Sequence, residues 1–233
     1  MGAALGLKHG GGSPIRIISA NLASGHADAW SFARLAHALG ADVVAVQELA
    51  TTQAEALASV FPFGRLEVRP DRMGVALRQP GCVRRIALAG RSAYTSEVTA
   101  DASGELITVV NAHIIAPHVG LPWKIAAVRR RQIHGLETYL RSAPRPLVLV
   151  GDLNSTPLWP AYRRLSSTLT DAAVEAARLE RRRPCRTWGL RYGPRLFRID
   201  HALVAGVIVE KVQVLPIAGS DHCAVVVDVR RPG

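Results

Sequence analysis

Cysteine is scarce. Three in 233 residues, Cys82, Cys185 and Cys223, are odd in number, far apart and without metal-ligand spacing. This excludes a disulfide scaffold or a zinc module and fits free thiols in a reducing compartment, so a cytoplasmic location is expected. No apolar run approaches the roughly 18 to 20 residues that cross a bilayer, which argues against a transmembrane segment. The opening MGAALGLKHGGGSP lacks a basic start followed by a sustained apolar core. Residues 1–13 therefore read as a flexible tail and not a secretory signal, and Gly6 stands where a myristoylation signal has Ser or Thr. With no internal repeat, low-complexity block or interior Pro/Gly/Ser linker, residues 14–233 read as a single domain. Acidic residues are also few, 18 Asp and Glu against 29 Lys and Arg, a net charge of +11. That balance points to an anionic partner, nucleic acid or an acidic lipid surface. The positive charge is clustered in RRRQ (129–132), RRRP (181–184) and RYGPRLFR (191–198), each equally readable as a solvated face.

What is abundant is short Val/Ile-rich runs bounded by Gly, Pro, Asn or Asp. They are IRIISANLA (15–23), ADVVAVQEL (41–49), GVALRQ (74–79), LITVVNAHII (106–115), PLVLVGDL (146–153), IDHALVAG (199–206) and CAVVVDV (223–229). Such runs predict strands. AWSFARLAHALG (29–40) and WKIAAVRRRQIHGLETYLRS (123–142) carry apolar residues at helical spacing, and PLWPAYRRLSS and DAAVEAARLERRR predict shorter helices. Many strands with few helices predict one α/β domain of stacked sheets with helices outside.

Chemistry enters at the strand ends. In LVLVGDLNSTP (147–157), Asp152 and Asn154 lie two residues apart just behind an apolar run, on one side if the extended geometry persists. A turn or cap would account for that pair alone. Yet Asn21 follows RIISA, Glu48 follows DVVAVQ, His113 lies in VVNAHIIAP, Asp200 in FRIDHALV, and Asp221 and His222 precede CAVVVDV. Six strands each deliver an acid, an amide or an imidazole. Buried carboxylates cost several kcal/mol unless paired or bound to metal, so six such placements argue for a site.

The pattern resembles the endonuclease/exonuclease/phosphatase superfamily over Asn21 to Val229, most specifically in GDLNSTP and SDHCAVV, with VQE and RIDH in support. The resemblance implies a four-layer α/β sandwich, two packed mixed sheets flanked by helices, carrying a phosphodiester-hydrolysing site that uses Mg²⁺ or Mn²⁺. Glu48 would be the main metal carboxylate, with Asn21 beside it and Asp221 completing the surroundings. His222 would act at the phosphate as base or transition-state stabiliser, Asp152 would bind or activate the attacking water, and Asn154 would donate to a phosphate oxygen. His113 would protonate the leaving oxygen or bind phosphate, Asp71 and Glu97 being candidates for a carboxylate beside it. Asp200 would orient these groups, and His201 would be structural.

For the substrate, Arg129, Arg131 and Arg198 are candidate phosphate contacts, and Trp123, Trp159 and Trp188 candidate stacking rings, with ordinary packing as the alternative for each tryptophan. The expectation is a monomeric metal-dependent phosphodiesterase acting on nucleic acid, first of all a DNA endonuclease in repair or degradation. The alternative is a phosphatase or phospholipase acting on a phosphoinositide, a sphingolipid or a small phosphoester. Against the lipid branch, the sequence reads as having neither a signal peptide nor an exposed apolar hairpin.

Overall fold

The computed structural model describes residues 14–88, 91–99 and 106–232; the expected tail over residues 1–13 lies outside them. Each predicted apolar run becomes a strand: β1 Ile15–Asn21, β2 Val43–Gln47, β4 Met73–Leu77, β7 Leu106–His113, β8 Leu147–Asp152, β12 Asp200–Ala205 and β14 Cys223–Arg230. Around them lie β3 Phe63–Glu67, β5 Val83–Leu88, β6 Arg91–Thr99, β9 Thr170–Asp171, β13 Ile208–Pro216 and a hairpin of β10 Trp188–Gly189 and β11 Arg195–Phe197. The helices are α1 Ala29–Ala38, α2 Thr51–Ala58, α3 Pro122–Ser142, α4 Pro160–Leu165 and α5 Ala172–Leu179. Helix starts follow local chemistry. Asp28 caps α1 through Ser31 N–H at 2.6 Å, Asp171 caps α5 through Ala173 and Val174, and proline opens α3 and α4.

The strands form two six-stranded mixed sheets, ordered β13-β14-β1-β2-β4-β3 and β5-β6-β7-β8-β12-β9. In each, one central pair is parallel, β1 with β2 and β7 with β8, and the other pairings are antiparallel. The uncharged runs exist because both faces of these strands are covered. Ile17, Val43 and Ala45 point between the sheets toward Val109, Val148 and Val150, while Ile18, Val44 and Val46 pack outward under Phe32, Ala36 and Leu57 of α1 and α2. On the other side Val110, Leu147 and Leu149 pack under Ile133, Leu136 and Leu165 of α3 and α4. The layers are therefore helix, sheet, sheet, helix, as the resemblance implied. The elements absent from the sequence reading sit at margins: β13 (IVEKVQVLP) and β5 (VRRIAL) carry charges on an exposed face, and α2 spans eight residues. No helix among the described residues is long and apolar enough to cross a membrane. All three cysteines are free thiols, Cys223 buried.

Strand direction decides where the polar residues meet. The carboxyl ends of β1, β2, β7 and β8 and the amino ends of the oppositely running β12 and β14 share one edge of the double sheet. Behind that edge a polar tie crosses the apolar core. Gln47 Nε2 donates to Asn111 Oδ1 at 2.7 Å, and Asn111 Nδ2 donates to the carbonyls of Val46 and Gly74 at 3.0 and 2.8 Å.

Candidate active site

The ladder of the second sheet aligns three site residues in one row, His113 opposite Asp152 and Asp152 opposite Asp200. Gly151 makes this possible. Its φ is +140°, and a Cβ there would lie 1.9 Å from the Ala112 carbonyl oxygen, so only glycine lets β8 close on β7 immediately before the acid. From the first sheet, Asn21 ends β1, Glu48 follows β2 at φ +54°, and His222 precedes β14. A non-glycine residue held at positive φ costs about 1 kcal/mol or more and is a mark of functional sites.

The groups converge on one atom, Asp152 Oδ2. Asn21 Nδ2 donates to it at 3.0 Å and Asn154 Nδ2 at 3.1 Å, while His113 Nε2 lies 3.7 Å away and His222 Nε2 3.9 Å. The other carboxylate oxygen accepts from Asn154 N–H at 2.8 Å. Burial and the charge of Asp200 raise the Asp152 carboxyl to about 7, against the opposing pull of His222, the Asn154 N–H and the Asn21 amide. His222 Nδ1 lies 3.0 Å from both oxygens of buried Asp200. Burial favours the neutral imidazole, but Asp200, with Asp152 and Asp221, outweighs it and raises His222 to about 10. At neutral pH the site therefore presents an imidazolium backed by a carboxylate, facing an acid that titrates near 7.

Glu48 is the acid open to solvent. Its Oε2 accepts from Ser24 Oγ at 2.6 Å, and its Oε1 lies 3.3 Å from Asn21 Nδ2 and 3.9 Å from His113 Nε2. Among the described residues no lysine or arginine forms an ion pair with Glu48, Asp152, Asp200 or Asp221; His113 lies near Glu48 and Asp152, and His222 near Asp152 and Asp200. His222 offsets the charge of Asp200, which leaves Glu48 and Asp221 as carboxylates with no lysine or arginine paired to them, and hard oxygen donors suit Mg²⁺ or Mn²⁺. Asp152, Asp200 and His222 also bring potential ligand atoms within 4.8 Å of one another, but the imidazole already bonds to Asp200. The open carboxylate of Glu48, with Asn21 beside it, is the better fit to a cation that keeps waters and substrate oxygens.

A cavity of about 700 Å³ opens on this centre, with Glu48, Asp152, Asn154, Asp221 and His222 at its floor and Leu158, Trp159, Trp188, Leu196 and Phe197 in its walls. A second hollow beyond Glu48 and His113 contains Ser24, Asp71, Arg72 and Arg85, with Asp71 paired to Arg85 at 2.7 Å. Glu97 lies on β6, and its side chain is outside the described residues. Of the tryptophans, Trp188 is at the centre itself. Its indole N–H donates to Asp221 Oδ2 at 3.0 Å, and its ring stacks on Phe197 at 5.9 Å. Trp159 lines the cavity mouth, whereas Trp123, 67% exposed on the first turn of α3, lies off the lining.

The expected arginines land elsewhere. Arg129 is buried, its guanidinium bonded to the carbonyls of Ile115 and Asn154 and to Ser155 Oγ. Arg131, two residues on and thus about 200° around the helix, faces solvent. Arg198 touches the cavity, but its Nη1 pairs with Asp171 Oδ2 at 2.6 Å. Arg186, absent from the sequence reading, reaches the cavity wall. Asn154 is also more occupied than expected, its amide donating to the Ile114 carbonyl at 2.9 Å as well as to Asp152. His201 is structural as expected: buried, with Nε2 2.8 Å from the Ser155 carbonyl and Nδ1 3.3 Å from Arg198 Nη1. The carbonyl only accepts and the guanidinium only donates, which fixes the neutral tautomer protonated on Nε2.

Two further features escaped the sequence reading. Ser24, three residues past Asn21, bonds Glu48; NLAS contained it, but nothing in that tetrapeptide marked the serine. The expectation of no exposed apolar hairpin is corrected by β10–β11, whose Leu190, Tyr192, Leu196 and Phe197 are exposed beside the cavity. Gly, Pro and Arg between those side chains hide the hairpin in the sequence.

A profile of the endonuclease/exonuclease/phosphatase family matches residues 18–222. Solved structures share the architecture. D. rerio TDP2, humanized by 14 mutations, aligns with TM-score 0.73 and 17% identity over 93% of this chain and 98% of its own. The human nocturnin catalytic domain, with bound sulfate, aligns with TM-score 0.66 and 19% identity over 94% and 95%. Sphingomyelinase C from Streptomyces griseocarneus gives 0.63 and 16% over 92% and 99%. D. rerio TDP2 complexed with a single-strand DNA product also matches, with TM-score 0.70 and 17% identity over 93% and 99%. No curated protein matches the sequence itself.

Proposed function

The chain belongs to the endonuclease/exonuclease/phosphatase family, and from that premise we propose that it is a divalent-metal-dependent phosphodiesterase that cleaves the nucleic-acid backbone, DNA first. The observation that carries the chemistry is the convergence of two imidazoles and two amides on Asp152 Oδ2, beside the solvent-open carboxylate of Glu48. Glu48, with Asn21 and Asp221, would hold Mg²⁺ or Mn²⁺, which neutralises charge on the phosphate when bound. Asp152 orients a water and takes its proton, a task suited to an acid raised toward neutrality. His222, kept protonated by Asp200, presents Nε2–H to the charge that builds on the phosphoryl oxygens. His113, 3.7 Å from Asp152 and 3.9 Å from Glu48, is placed to bind phosphate or protonate the leaving oxygen.

The nucleic-acid assignment rests on the net charge of +11 and on aromatic rings at the cavity, where bases stack at about 1 to 3 kcal/mol each. One observation favours a lipid reading: the exposed apolar hairpin beside Arg186, Arg191 and Arg195, a combination that also suits an acidic membrane surface. A panel decides between them: plasmid DNA, abasic-site duplex, single-stranded DNA, RNA, phosphoinositide vesicles and sphingomyelin vesicles, each with Mg²⁺, Mn²⁺ or chelator. The expected result is metal-dependent cleavage of DNA, with nicking of closed plasmid marking endonuclease action, and binding to Asp152→Asn that weakens steeply with salt. Hydrolysis of lipid head groups with intact DNA moves the assignment to the lipid branch, and full activity after exhaustive chelation refutes the metal mechanism.

A further inference from the structure

We propose that Arg129 and Gln132, on one face of α3, are positioning residues that set the spacing between the strand end carrying His113 and the turn carrying Asp152 and Asn154. The kinetic part of the test rests on the phosphodiesterase reading; the structural part does not. Ladder pairing aligns the two strands as far as His113 opposite Asp152, with one more backbone bond from Ile114 N–H to the Asp152 carbonyl at 3.0 Å, after which both chains become irregular. Past that point the α3 side chains bind them together. Gln132 Oε1 accepts from Ile115 N–H at 3.1 Å, and Arg129 Nη1 donates to the Ile115 carbonyl. Arg129 Nη2 reaches the other loop, donating to the Asn154 carbonyl at 2.9 Å and to Ser155 Oγ at 2.7 Å. One planar fork thus ties residue 115 to residues 154 and 155, while a second side chain, three positions along the helix, fixes the other side of residue 115.

The tie matters because of what Asn154 must do. It is held at φ +46°, a conformation that favours glycine, and in that conformation its N–H donates to Asp152 Oδ1 and its amide to Asp152 Oδ2 and the Ile114 carbonyl. Without Arg129 the turn keeps its bonds to Asp152, the Ile114 carbonyl and His201 but loses its link to α3, so those donors are held less firmly against Asp152. Because Arg129 is buried and its guanidinium is engaged with the protein's own oxygens, the effect falls on turnover and not on substrate capture. A lysine keeps the charge, but a single ammonium on a flexible stem does not reproduce the planar fork.

The experiment compares wild type, Arg129→Lys and Arg129→Met, each verified as folded by circular dichroism. Kinetics use bis(p-nitrophenyl) phosphate and the preferred DNA substrate with Mn²⁺; hydrogen exchange reads individual amides. Both variants are expected to lose roughly tenfold to hundredfold in kcat, the range of an ångström-scale misplacement, with KM within roughly threefold. Exchange at Ile115 and Asn154 is expected to quicken at least about tenfold while Val148 and Val150 are unchanged, the pattern of local rather than global opening. A lysine variant with wild-type kcat, a raised KM at unchanged kcat, or unchanged exchange at both loops overturns the proposal. If the wild type hydrolyses no phosphoester, the phosphodiesterase reading fails, and the exchange measurement still decides the clamp.

Discussion

Acid should weaken this protein through His201, a residue that takes no part in the proposed chemistry. The ring is buried, 4.8 Å from the Tyr162 ring, with both nitrogens engaged, and burial together with the Arg198 charge pushes its pKa down to about 4. In the unfolded chain it returns to about 6.5. Above pH 6.5 both states are neutral and His201 costs nothing. As pH falls the unfolded state takes up the proton first, so stability drops between about 6.5 and 4 and then levels off. From those two values the loss is about 2 kcal/mol at pH 5 and about 3 kcal/mol at pH 4. His201→Gln isolates the effect, because a carboxamide can donate to the Ser155 carbonyl and accept from Arg198 without titrating. At pH 7.5 the variant should be less stable by about 1 kcal/mol through lost ring packing, and near pH 5 the order should reverse. The assay is urea unfolding of both proteins in chelator at pH 7.5, 5 and 4. Asp152 and His222 also titrate, but they are common to both proteins and cancel in the difference. A difference that stays constant within about 0.5 kcal/mol from pH 7.5 to 4 would refute the argument.

Asp152→Asn and His222→Ala should each lower kcat by orders of magnitude while leaving DNA binding largely unchanged, and His222→Ala should also destabilise the fold because buried Asp200 loses its partner; a kcat loss below about tenfold, roughly 1.4 kcal/mol of barrier, means the role is misassigned. Asp200→Asn removes the charge that keeps His222 protonated, so the imidazole pKa followed by NMR should fall well below about 10, and an unchanged titration would show that Asp200 is not the cause. Gly151→Ala sets a Cβ against the Ala112 carbonyl at a φ reserved for glycine and should destabilise by about 3 kcal/mol or more, measured by thermal or urea unfolding.

Much of this was legible because strand chemistry is local. Val43 to Val46 and Leu147 to Val150 are uncharged since both of their faces are covered, and a run with no polar face announces a sheet between two layers. The acid, amide and imidazole that follow such runs were legible for a related reason: a turn explains one such residue, but not the same placement at six strand ends. Direction around a helix was not legible. RRRQ supplies three guanidiniums, and only the phase of α3 against the sheet decides that Arg129 turns inward while Arg130 and Arg131 stay in water. Trp123 and Trp159 posed the same problem and came out differently, one off the cavity and one at its mouth. Sequence also could not reveal that the Arg198 guanidinium would be held by Asp171, 27 positions away.

The tie between Gln47 and Asn111 gives the double sheet something its methyl groups cannot. Hydrophobic burial has no preferred direction, so two Val-rich surfaces alone would tolerate small slips along one another at little cost. Glu48 and Asn21 ride on one of those surfaces, and His113, Asp152 and Asp200 on the other, so any slip is a change of distance inside the reaction centre. Gln47 immediately precedes Glu48, and Asn111 lies two residues before His113. Their hydrogen bond works as a dowel driven through the joint next to the blade. Alignment of the two halves is set where it is used, and the rest of the interface is left free to vary in shape without blunting the cut.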